Sequence, residues 1–280
     1  MKKLFLIIPV LCLLVYSCSS SIELDELSSK NLKISDFEYV GELHNQGLAN
    51  SYSEIKGLVN SGHKISKENK QKLLQVQKEI TMNFVSEQDF EQDIIVVTKQ
   101  QIEIGADDFV MFNQSVSRTS QSNIIPDSLL LGISDEAQDM IFRIFEIMED
   151  EDLDTASLNS RIHSIEQEAI SSLEIDEQFV VLSTSSVAKH TLVYWNENHE
   201  DWLNLLDGDA NGRTADSDIN WKAAGKADVG GAALAGLSLA VSGTGAAMAA
   251  TGPAGWAGIG LVVVGRGLQA SAVRMLWDLW

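Results

Sequence analysis

The sequence predicts an all-α fold, a helical body followed by a Gly/Ala-rich helical hairpin, and three observations carry that reading. From about Tyr39 onward apolar residues recur at helical rather than alternating spacing. Only three prolines interrupt the chain. From Val229 to Gly265 the chain runs 37 residues without a charge, and 20 of them are Gly or Ala.

The elements follow in order. Leu48, Tyr52, Ile55 and Val59 form one stripe, and Leu73, Val76, Ile80 and Phe84 form another after a cap at Ser66. Between Glu87 and Ser128 the period fades. Ile94 to Val97 reads as a short strand or a helical turn, Ser115 to Ser122 as polar connection, and Pro126 closes the stretch. The clearest helix places Ala137, Met140, Ile141, Ile144, Phe145 and Met148 on one face, with Ser134 as N-cap and acids in the first turn. Leu158, Ile162, Ile165, Ala169 and Leu173 make the next stripe. Gln178 to Trp195 is a more buried segment, and a short helix through Trp202 to Leu206 follows it.

The chain starts with Met1-Lys2-Lys3 and an uncharged run from Leu4 to Ser17, the basic and apolar regions of an export signal too short to span a bilayer. Its end, Leu14-Val15-Tyr16-Ser17-Cys18, resembles the bacterial lipoprotein lipobox. That resemblance implies acylation of Cys18, which becomes the new N-terminus, and a place in the bacterial envelope, with the outer membrane expected. Loss of Lys2 and Lys3 leaves 18 of the 20 basic side chains against 40 acidic ones, so a formal charge of −20 becomes −22. Such a charge repels phosphate backbones and anionic lipid surfaces, which excludes nucleic acid as a partner. No cysteine pair survives processing, so packing alone must hold the fold. The expected organisation is a signal peptide (1–17), an acidic Ser-rich tether (18–38), a helical body (39–206), an Asp/Asn/Gly-rich loop (207–218) and the hairpin (219–280).

Asp207 to Asp218 carries oxygen side chains at loop positions 1, 3, 5 and 12 and glycine at 6, and so resembles the calcium loops of EF-hands and dockerins. The resemblance implies calcium held by Asp207, Asp209 and Asn211, the Arg213 carbonyl, a water at Ala215 and the Asp218 carboxylate. Thr214 replaces the usual aliphatic residue, Asp218 is shorter than Glu, and no second loop pairs with this one. The other reading is a polar turn, which Asp, Asn and Gly also build.

In the uncharged segment Ala232, Gly236, Ala240 and Thr244 recur every four residues, a small-residue ridge for close helix packing, and Thr251-Gly252-Pro253-Ala254 is the expected break between two arms. Arms of roughly 22 and 26 residues are long enough to reach across a hydrocarbon core. Gly-rich helices are poor in water, so these arms need a partner: each other, the body, further copies or lipid. Trp277 and Trp280 suit either a membrane interface or a packed terminus. The tail also resembles glycine-zipper segments and the Gly-rich cores of some bacteriocins.

No catalytic constellation is evident. The histidines His44, His63, His163, His190 and His199 show no metal spacing, and no nucleophile elbow, P-loop or dinucleotide fingerprint occurs. His44, beside Glu42 and Asn45, and His190, on an apolar helix, are the pair to watch, each expected to be a hydrogen-bonded core histidine. The stretches Gly41 to Leu48, Ser185 to Trp195 and Trp221 to Ala232 resemble an uncharacterised family of secreted or lipid-anchored Bacteroidota proteins. That resemblance covers most of the mature chain and implies no catalytic roles. The expected function is therefore a lipid-anchored envelope protein whose hairpin mediates membrane association or self-association. The alternatives are a soluble helical interaction module with a packed hairpin and a bacteriocin-like membrane-active protein.

Overall fold

The computed structural model describes residues 32–63, 70–103, 125, 127–150, 154–206, 221–249 and 252–278. All regular structure among them is helical, as the sequence predicts. After a 3₁₀ turn at Ile34–Asp36 come α1 (Glu38–Asn60), α2 (Lys70–Ser86), α3 (92–103), α4 (Asp127–Leu130), α5 (Asp135–Glu149), α6 (Thr155–Ser172), α7 (Ile175–Leu206), α8 (Trp221–Ser242), α9 (Thr244–Ala249) and α10 (Pro253–Asp278). The described residues belong to one compact unit. Cys18 and the tether up to residue 31, the Ser66 cap, Ser115 to Ser122, Pro126 and the whole Asp207–Asp218 segment lie outside the described residues. The last stretch of the expected tether, 32–38, is instead part of the fold, with Leu32 and Phe37 buried and Glu38 opening α1.

The amphipathic helices bury the stripes that the sequence marks. In α5 Ala137, Met140, Ile141, Ile144, Phe145 and Met148 are all buried, and the Ser134 side chain accepts a hydrogen bond from the Ala137 N–H at 3.2 Å. In α6 Leu158, Ile162, Ile165 and Ala169 are buried behind the N-cap Asp154. Arg143 donates to Glu168 at 2.8 Å and ties the outer faces of the two helices together.

Of the two readings of Ile94 to Val97 the helical one holds, within the longer helix α3, which buries Ile95, Thr98 and Ile102. Another segment differs from expectation. The separate segments Gln178–Trp195 and Trp202–Leu206 are one 32-residue helix, α7. Phe179 to Ala188 is buried on every face, so that half of α7 has no polar side to show a period, while its second half turns Asn196, Glu197 and Glu200 outward.

Around α7 the Gly/Ala helices form the interior. Residues 227–237 of α8 and 258–271 of α10 are unbroken buried runs. A Cβ on Gly231 would stand 2.9 Å from the Arg266 carbonyl oxygen and from Gly267 Cα, so α8 and α10 approach backbone to backbone. Gly236 faces Val180 of α7, Ala232 is fully buried, and Ala240 and Thr244 are half-buried. The expected four-residue ridge does not continue along one helix. Gly243, at φ 68°, ends α8, so Thr244 opens α9, and a second positive φ at Gly252 precedes α10. The single break expected at Thr251 to Ala254 is thus preceded by another. Among the described residues no helix is long and apolar enough to cross a membrane.

Candidate functional site

Two polar clusters meet where α1, α6, α7 and α8 converge, and the start of α1 sets their geometry. Gly41 lies in the first turn of α1, where backbone N–H groups lack helical partners. Its N–H is taken by Ser186 Oγ of α7 at 3.0 Å, and the same hydroxyl donates to the Glu38 carbonyl at 3.3 Å. A Cβ on Gly41 would collide with the His190 ring and the Ser186 carbonyl. Glycine therefore lets α1 lie directly on α7, which brings Glu38 beside Lys189 and His190.

The outer cluster is a ladder of alternating charge. His190 Nε2 stands 3.1 Å from Glu38 Oε2, Lys189 Nζ donates to Glu38 Oε1 at 2.5 Å and reaches Glu166 Oε1 at 2.8 Å, and Glu166 Oε2 is 3.3 Å from His163 Nδ1. Burial alone would raise the Glu38 carboxyl, but hydrogen bonds from Lys189 and His190 outweigh it and hold that carboxyl below its ordinary value. Glu166 is almost fully buried, and there burial prevails over the Lys189 hydrogen bond and raises it. Burial disfavours the Lys189 ammonium, yet its bonds to both glutamates keep it raised. The ladder joins α1, α6 and α7, and His163, Glu38 and His190 open to solvent while Lys189 and Glu166 do not. As a carboxylate and imidazole in contact, Glu38 and His190 can exchange a proton with a bound group.

The inner cluster is sealed. Asp228 of α8 is fully buried. Its Oδ2 accepts the Trp195 indole N–H at 2.8 Å and the Thr191 hydroxyl, both from α7. His44 Nε2 of α1 lies 3.8 Å from Asp228 Oδ1, and α10 closes the space with Gly267, whose Cβ would sit 3.0 Å from the His44 ring. Burial drives the Asp228 carboxyl well up against its two hydrogen bonds. The His44 imidazole is pushed down to about 4 by burial, against the Asn45 side chain and with some repulsion from His190.

The two watched histidines therefore do not face each other in a cleft. His190 is hydrogen-bonded, as expected, but to Glu38 and at a part-exposed position rather than in the core. His44 is not: neither ring nitrogen makes a hydrogen bond, so the expectation of a satisfied core histidine is corrected there. Asn45 spends its amide on the His190 carbonyl at 2.9 Å. Glu38, Glu166, Lys189 and Asp228 are new to the site, and two of them left a trace in the sequence. Glu166 falls within the Ile162, Ile165, Ala169 stripe, and Asp228 falls among small residues at 224, 227, 231 and 232. A lone acid at a stripe position is the signature of a buried, paired carboxylate. Among the described residues no group of three or more His, Cys, Asp or Glu side chains is placed to hold a metal. No known protein family, curated protein or solved structure matches the chain.

Proposed function

We propose that this protein is a lipid-tethered, acidic helical interaction module of the bacterial envelope, in which the Gly/Ala helices serve as the module's own core. The observation that carries the reading is the enclosure of 227–237 and 258–271 by α1, α3 and α7. Apolar surface packed within one chain is not available to a bilayer or to a second copy. The tether rests on Met1 to Cys18, whose pattern resembles a lipoprotein signal and directs the module to the envelope, at the outer membrane. The formal charge of −20 disposes the outer surface toward basic or uncharged protein partners. Calcium bound at Asp207 to Asp218 is compatible with such a module.

Fractionation of cells expressing the chain and its Cys18→Ala variant tests this. The parent chain should stay with membranes after carbonate extraction, and Cys18→Ala should leave them completely. If Cys18→Ala resists carbonate although its mass shows that Leu4 to Ser17 has been removed, the Gly/Ala helices themselves insert and the core reading is wrong. If the parent chain is released by carbonate, the lipid tether is wrong.

A further inference from the structure

The sealed cluster leaves three polar atoms unpaired. Asp228 Oδ2 is satisfied by Thr191 and Trp195, while Oδ1 and both His44 ring nitrogens have no hydrogen-bond partner, with no exposure at either side chain. An ionised carboxylate beside a neutral imidazole leaves a net charge where no water reaches. One added proton removes that charge and, with the imidazole hydrogen on Nδ1, gives Oδ1 a hydrogen to share with Nε2.

We propose that His44 and Asp228 form a one-proton latch. The Asp228 carboxyl carries the proton on Oδ1 and donates it to His44 Nε2, and this bond clasps α1 to α8 beside α7. The 3.8 Å separation must shorten by about 1 Å to make it, a modest side-chain adjustment. Among the other titratable groups, His190 on α7 opposes a charged His44, Tyr194 on α7 is pushed up to about 12 and so adds no charge across the range concerned, and Arg266 is the buried cation beside Gly267 on α10. The directions of Asp228 upward and His44 downward agree.

The latch makes stability depend on pH in a particular way. In the unfolded chain an aspartate is ionised above about 3.9 and an imidazole is neutral above about 6.5. Between those values the unfolded pair carries its proton on histidine and the folded pair carries one on aspartate, so their numbers balance. Above about 6.5 the unfolded pair has none and the folded pair keeps one. Stability from the latch is therefore full in mildly acidic surroundings and falls as pH rises toward the folded-state value of Asp228, by tenfold in the folded-to-unfolded ratio per pH unit. Alkaline surroundings loosen α8, and mildly acidic ones seat it.

Denaturant unfolding of the full-length chain from pH 6 to 9 should show that tenfold-per-unit loss, and Asp228→Asn should lack it. The amide keeps an oxygen for Thr191 and Trp195 and offers His44 a permanent donor. Equal pH slopes in the two proteins overturn the latch. Infrared spectra with carbon-13 aspartate provide a second readout that needs no variant. A protonated-carboxyl stretch at pH 7 is expected, and its absence overturns the proposal even if Asp228→Asn fails to fold.

Discussion

Helices α5 and α8 are both buried in this molecule, yet they hold their places by opposite means. Helix α5 fills space. Its core face presents Met140, Ile141, Ile144 and Phe145, and its outer face presents Asp139, Arg143 and Glu146. Helix α8 removes space. From Ala227 to Leu237 it is buried all round, and its side chains are so small that α10 rests against its backbone at Gly231. Area removed from water stabilises the first arrangement, and close dispersion contact between backbones stabilises the second. Truncation should therefore break α5 and enlargement should break α8.

The largest effect is expected from Ile144→Ala. The side chain is fully buried, and its loss removes apolar transfer energy and leaves a cavity that neighbouring helices fill only in part. Equilibrium unfolding should show a loss of about 2–5 kcal/mol. A change below about 1 kcal/mol would mean that α5 is not held by volume.

Next comes Gly231→Ala. A methyl group here meets the Ala270 Cβ at 2.7 Å and two backbone atoms of α10 at 2.9 Å, and backbone cannot rotate aside. Alanine's better helix propensity returns roughly 1 kcal/mol, but moving α8 away from α10 disturbs a whole interface. A net loss of about 1–3 kcal/mol is expected in the same unfolding assay. A neutral result would show that α8 and α10 are not in backbone contact.

These contrasts explain what could be read from residues alone. An amphipathic helix declares its buried face, so the α5 stripe and its Ser134 cap were legible residue by residue. A helix buried on every side declares nothing about its neighbour, because a protein core and a bilayer are both apolar surroundings. The Val229 to Gly265 composition thus showed tight packing without showing against what. The same absence of a polar face divided α7 in two, since its first half has no period and its second half is amphipathic. In α3 a stripe existed, Ile95, Thr98 and Ile102, but a buried threonine at its centre hid it. The candidate site was legible only as His44 and His190. Their partners Asp228 and Glu38 lie 184 and 152 positions away along the chain, and only the close seating of α1 on α7 at Gly41 brings them in.

The smallest effect sharpens the comparison most, because it makes the same chemical change where no helix is near. Gly57 lies in the interior of α1, exposed, and a Cβ there meets nothing within 4 Å. Glycine in a helix interior loses more conformational freedom on folding than alanine does, with no packing to compensate. Gly57→Ala should therefore stabilise the protein by about 0.5–1 kcal/mol, opposite in sign to Gly231→Ala. The thermal midpoint should rise by a few degrees for Gly57→Ala and fall for Gly231→Ala. If both substitutions lowered it, glycine's backbone freedom rather than close packing would be what α8 requires. Opposite signs leave the contact with α10 as the reason for the glycine at 231.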